Sequence, residues 1–270
     1  MFIYGISVFI LGLIIGSFLN VVILRYNTGK SLGGRSGCLS CNSKLTSETL
    51  IPVLSYLLLK GKCKNCQSKI SIQYPLVELF TAILFVATYM RFEELIFSNF
   101  LVGSLNIALF LIVFSILVIV LVYDLKHKII PNELSYTLAI LALIYRIIVT
   151  PFGNLDTLLI LDLLSGLILF IPFFLLWFIS KGKWIGLGDG KLVLSIGWFL
   201  GFIYSLSGVV LAFWIGAVFS LTLMLIAHLK ERHSHITMKT EIPFAPFLII
   251  GFIIMFFYPI DVLGLSLLLF

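Results

Sequence analysis

Apolar residues along this chain come in long unbroken blocks, without the alternation of a half-buried strand or the stripe of an amphipathic surface helix. The blocks fall near 2–24, 74–92, 100–123, 133–150, 157–179, 191–206, 208–228 and 244–265. Roughly 20 apolar residues carry an α-helix across a bilayer. The pattern therefore predicts an all-α, polytopic membrane protein with about eight transmembrane helices. Only Ser205, Ser207 and Gly208 separate the sixth block from the seventh. One helix over 191–228 would run about 57 Å at 1.5 Å per residue, far beyond the roughly 30 Å hydrocarbon core, so two short passes are expected. Residues 2–24 lack a basic start and a small-residue cleavage site, and they read as a retained first span.

Composition agrees. Of 270 residues, 61% are hydrophobic and 11% charged, against roughly a quarter charged in a soluble domain. Charge adds an orientation. The loop 25–73 holds Arg25, Lys30, Arg35, Lys44, Lys60, Lys62, Lys64 and Lys69; Lys126 and Lys128 follow the third block. Lys181, Lys183 and Lys191 follow the fifth, and Lys230, Arg232 and Lys239 the seventh. Only Arg91 and Arg146 fall toward the opposite side. Basic loops stay cytoplasmic, so these four loops are expected inside and both termini outside. The net charge of +6 is then a topology signal: membrane lipid is the surrounding partner, and no nucleic acid is expected.

All four cysteines lie in the one long polar loop, as Cys38-Leu-Ser-Cys41 and Cys63-Lys-Asn-Cys66. Two Cys-x-x-Cys knuckles offer four thiolates for tetrahedral zinc. A pair of disulfides is disfavoured, because cytoplasmic thiols stay reduced. A redox pair is a further alternative, but two symmetric knuckles favour a structural zinc that folds a loop too small for its own core.

Two aspartates are expected at one boundary. Asp124 closes the third block in VYDLKHKIIPN, and Asp189 opens the sixth in GLGDGKL. Ionisable groups at that depth are costly and tend to be functional. Two carboxylates brought together in a partly desolvated site share a proton, one acting as base and the other as acid. The bland alternative, two interfacial acids each beside lysines, stands equally open on composition. Gly186, Gly188 and Gly190 would let a substrate backbone approach and the chain turn sharply. Lys191 would either lower one carboxylate pKa or mark the boundary. Asp156, Asp162 and Asp261 lie toward the outside, while Glu231 and Glu241 are in a polar loop.

Smaller features have structural readings. Gly12 and Gly16 form a small-x-x-x-small helix contact, and Asn20 is expected to hold helices together rather than line a groove. Pro131 and Asn132 stop one element and cap the next. His228, His233 and His235 sit in a polar loop and are not expected to hold a metal.

Taken together, these pieces resemble the type IV leader peptidase family, the bacterial prepilin peptidases, which are membrane aspartic proteases. The matching stretches are GSFLNVVILR (16–25), the two knuckles, IPVLSYLLLKGKC (51–63), YPLVE (74–78), Asp124 with Ile130-Pro131, GLGDGKL and PFAPFL (243–248). The chain departs from the family at Ser43, where a histidine is frequent, at Leu50, where asparagine is frequent, and at Ala245, where glycine is. After the first span it reads Arg25-Tyr26-Asn27 in place of a proline. The resemblance implies an enzyme of the bacterial inner membrane that cuts the basic leader from type IV prepilins and pseudopilins at the cytoplasmic face. Many such enzymes then methylate the new N-terminus with S-adenosylmethionine. It implies Asp124 and Asp189 as the catalytic pair, zinc on Cys38, Cys41, Cys63 and Cys66, and methyl transfer linked to the loop and the segment around Glu78. Two parts are expected: 1–92, with the first two spans and the zinc loop as the methyltransferase part, and 93–270, a six-helix peptidase domain. The alternatives are a peptidase without methyltransferase activity, an ion- or proton-coupled transporter, and a scaffold whose zinc loop docks a partner. Against a transporter, both acids lie at one face rather than the midplane, and no paired broken helices are evident.

Overall fold

A computed structural model describes every residue except 1, 30, 32, 35, 39, 151–156, 230–241 and 270. Lys30, Arg35, Asp156, Lys230, Glu231, Arg232, His233, His235, Lys239 and Glu241, weighed above, lie outside the described residues, as does the side chain of His228. The described chain is helical: α1 (Phe2–Arg25), α2 (Leu54–Leu58), α3 (Gln73–Ser98), α4 (Phe100–His127), α5 (Asn132–Val149), α6 (Thr157–Ser180), α7 (Leu187–Leu200), α8 (Phe202–Leu229), α9 (Ala245–Phe257) and α10 (Ser266–Leu269). Among the described residues six helices, α1, α3, α4, α5, α6 and α8, are long and apolar enough to cross a membrane, so the molecule is a multi-pass membrane protein. The expected eight passes thus resolve into six long helices and two short ones. At 14 and 13 residues, α7 and α9 are about 20 Å long.

The break between the sixth and seventh elements also moves. It falls at Gly201, whose φ of 80° ends α7, and not at Ser205–Gly208. The small polar residues are absorbed into α8. Ser205 returns its hydroxyl to the Gly201 carbonyl, a back-bond open to serine inside a helix, and Gly208 packs against Gly251 and Met255 of α9.

Two compact units divide the chain at 122/123. In the first, α1 runs along α3. A Cβ on Gly12 would come within 2.5 Å of the Ala82 Cα, and one on Gly16 within 2.7 Å of the Glu78 Cα. The small pair is a helix contact, as its spacing predicts. Asn20 is buried between the same helices, donating to the carbonyls of Gly16 and Tyr74 and accepting from Gln73 Nε2.

In the second unit, α7 packs against α5, α6, α8 and α9. Leu192, Val193, Ile196, Trp198 and Phe199 are all buried, which explains why this helix shows no polar stripe. Its far end is locked by charge. Arg146 of α5 donates to the Trp198 carbonyl at 2.8 Å and pairs with Asp162 of α6 at 3.3 Å. The other Asp162 oxygen accepts the Phe202 amide at 2.7 Å, and the Asp162 carboxylate occupies the space a Cβ on Gly201 would need. Arg146 is 8% exposed but the Asp162 side chain is 33% exposed, so removing Arg146 costs less than the roughly 3–5 kcal/mol of a fully buried pair. Arg146→Ala is expected to lower the unfolding temperature in detergent by several degrees. An unchanged transition would show that the lock contributes nothing.

Candidate active site and metal centre

Asp124 sits in the last turn of α4, and the chain reverses immediately after it. The Lys128 amide donates to the Asp124 carbonyl at 2.8 Å, and Lys128 takes φ 55°, a left-handed helix stop. The next residues deliver Ile130 to Gly188, where a Cβ would meet the Ile130 side chain at 2.9 Å. The room at Gly188 is therefore filled by protein, and that at Gly190 by Phe170 and Phe173. These two glycines serve close packing of α7 instead of leaving a gap for substrate.

Asp189 is the third residue of α7. Its backbone N–H donates to the Gly186 carbonyl, and its carboxylate accepts the Gly186 amide. That is half of a capping box, so the motif turns the Asp189 side chain back over the helix start. Asp124 and Asp189 lie close enough to interact electrostatically. Asp124 is 4% exposed, the Ala245 amide at the start of α9 bonds its carboxyl, and its Oδ2 is buried with no hydrogen-bond partner among the described residues. A buried carboxylate oxygen left unpartnered calls for a chemical explanation.

Lys191 does not serve either acid. Its ammonium donates to Asn132 Oδ1 at 2.7 Å and lies 4.5 Å from the Tyr136 ring centroid. Asn132 is itself the first residue of α5 and takes this lysine rather than capping the helix. Sequence reasoning missed the Ala245 amide, although its stretch, PFAPFL, was recognisable. It also set Asp162 aside as an outer acid, whereas the structure uses it to hold α7.

The metal centre belongs to the first unit. Each knuckle repeats one design. The Cys38 and Cys63 amides donate to the Ser43 and Ser68 carbonyls, at 3.0 and 2.9 Å. Their own carbonyls accept from Asn42 and Gln67, which take φ 54° and 57°. Ser43 and Ser68 hydroxyls lie 3.0 and 3.1 Å from the sulfurs of Cys41 and Cys66. The four sulfurs are within 4.8 Å of one another, with Cys38 and Cys66 at 3.8 Å. Tetrahedral ligation with 2.3 Å metal–sulfur bonds spaces sulfurs by about 3.8 Å, so the cluster fits a metal ion. The Cys41 and Ser40 amides and the Ser68 hydroxyl pull the Cys38 thiol down to about 6, which favours the ligating thiolate.

Two family models match the chain: residues 10–92 match the bacterial peptidase A24 N-terminal domain, and residues 111–221 match the type IV leader peptidase family. The chain is 34% identical over 252 residues to the prepilin leader peptidase/N-methyltransferase of Bacillus subtilis (strain 168), covering 93% of this chain and 92% of that one. It is 31% identical over 265 residues to the Vibrio cholerae protein of the same name, covering 95% and 97%. A type 4 prepilin-like proteins leader peptide-processing enzyme of Escherichia coli is 31% identical over 214 residues, covering 70% and 74%. No solved structure gives a significant match.

Elemental analysis of purified protein is expected to find one metal ion per chain. Cys38→Ser combined with Cys66→Ser should remove it, and full occupancy in that variant would exclude the four-sulfur centre.

Proposed function

The chain belongs to the type IV leader peptidase family, and from that membership we propose that it is a membrane-embedded aspartic endopeptidase. Its substrates are type IV prepilins and pseudopilins, whose basic leader it removes at the cytoplasmic face of the bacterial inner membrane. The observation that carries this reading is the Asp124–Asp189 pair: two interacting carboxyls, one with a buried oxygen that no group among the described residues satisfies.

The chemistry follows from a shared proton. One carboxylate takes a proton from water as the water oxygen attacks the scissile carbonyl carbon. The other carboxyl gives its proton to the carbonyl oxygen, forming a neutral gem-diol. Collapse of that intermediate breaks the C–N bond: the first carboxyl gives its proton to the leaving amine nitrogen, while a gem-diol hydroxyl gives its proton to the second carboxylate, which re-forms the carbonyl and restores the shared-proton pair. The Ala245 amide and the Gly186 amide supply fixed donors, one to each carboxyl. Both acids lie at helix ends, where water reaches a membrane protein more readily than at the bilayer centre.

Zinc is the metal that best suits four thiolates in a cytoplasmic loop. Cys38, Cys41, Cys63 and Cys66 would hold it, and it would fix the fold of the loop. The relatives' names include N-methyltransferase, which supports a second activity; its proposed acceptor is the new N-terminal amine, its proposed donor S-adenosylmethionine, and its proposed seat the 1–92 part.

Substituting Asp124→Asn or Asp189→Asn is expected to slow prepilin cleavage by about 10,000-fold while leaving membrane abundance unchanged. Ordinary processing by either variant would end the proposal. Mass spectrometry of the cleaved pilin should show the added mass of one methyl group when S-adenosylmethionine is supplied. An unmodified amine would leave a peptidase alone.

A further inference from the structure

The four-cysteine loop carries an apolar surface that neither the metal centre nor the aspartate pair uses. Between the knuckles the chain forms a 3₁₀ turn, Ser47–Leu50, and then α2. Leu50, Ile51, Leu54, Leu57 and Leu58 are all exposed, Leu57 at 63% and Leu58 at 80%, and no residue of α2 is buried. A run of large aliphatic side chains this open marks an interaction surface.

Its anchor gives the depth. Pro52, Val53 and Leu54 form a γ-turn, in which the Leu54 amide donates to the Pro52 carbonyl at 2.6 Å and Val53 takes φ 63°, ψ −51°. A β-branched residue is strained in that conformation. The turn is held from outside, because the Val53 amide donates to Glu78 Oε2 at 2.8 Å, and Glu78 is buried on α3. Glu78 lies only about 7–8 Å along the helix axis from Gln73, where α3 begins. With 26 residues, α3 is about 39 Å long and overhangs the roughly 30 Å hydrocarbon core. The attachment of α2 is therefore near one end of span α3, within about 8 Å of where that helix begins.

Charge completes the description. Lys60 and Lys62 follow α2 directly and are exposed, as is Lys69. Glu48 is the one acid between residues 26 and 72, and it pairs with Lys64. An apolar helix followed directly by exposed lysines, near the end of a membrane-spanning helix, matches an anionic lipid surface. A substrate with a basic leader would be repelled by the same lysines.

We propose that α2 and the turn before it dock on the lipid bilayer, with Leu54, Leu57 and Leu58 among the headgroups and upper acyl chains and Lys60 and Lys62 against lipid phosphates. This holds the metal loop down on the membrane and relieves the γ-turn of carrying that load alone. It stands whether or not the aspartate pair cleaves peptides.

The test places a photo-crosslinking amino acid at Leu58 in the full-length protein, reconstituted in nanodiscs of phosphatidylethanolamine and phosphatidylglycerol. The same probe at Ile83, an exposed residue of span α3, provides the reference for lipid contact. Mass spectrometry is expected to find lipid adducts at position 58 in yield comparable to position 83. A yield tenfold or more below that reference would overturn the proposal. So would adducts confined to a second copy of the chain, or to a prepilin added in a parallel sample.

Discussion

The second unit depends on a helix too short to cross a membrane. With 14 residues, α7 can hold its place only through the helices around it, and its apolar side chains are buried against them. Its far end is fixed by the Arg146–Asp162 pair and by the turn at Gly201. Its near end carries Asp189 on the turn that begins with Gly186. The same helix that is clamped at one end thus presents a carboxyl at the other, so that the position of Asp189 is a consequence of packing. Gly188 and Gly190 belong to this logic: they bring α7 tight against Ile130, Phe170 and Phe173.

The first unit solves a different problem. A polar loop of this size buries little apolar surface, and its two knuckles are built alike down to the serine beside the second sulfur of each. A metal ion joining them would supply the cohesion that a core provides in a larger domain. Glu78 then ties the loop to α3 through a single backbone amide, that of Val53. This tether sets where the loop meets α3.

Much of this was legible in the residues themselves. Long apolar blocks gave the helices, and the paired Cys-x-x-Cys spacing gave four sulfurs that the fold gathers. The helical spacing of Gly12 and Gly16 gave the α1–α3 contact. The misreadings share a cause. Ser205, Ser207 and Gly208 look like a turn, yet serine hydroxyls can bond back within a helix and glycine can serve close packing, so composition alone put the break in the wrong place. Lys191 reads as a partner for Asp189 because it is two residues away, but successive helix residues point apart, and its ammonium reaches Asn132 and Tyr136 on α5. Arg146 and Asp162 are partners only through helix packing, which no local pattern announces. The Ala245 amide at Asp124 arrives from more than a hundred residues away.

The central claim is that Asp124 and Asp189 act as one chemical unit. A double-mutant cycle on cleavage of a synthetic prepilin in proteoliposomes tests it most directly, comparing Asp124→Asn, Asp189→Asn and the two combined. Residues that act together are grossly non-additive, so the double variant is predicted to be no slower than either single one. Losses that multiply, or one variant that retains most of the wild-type rate, would contradict the account.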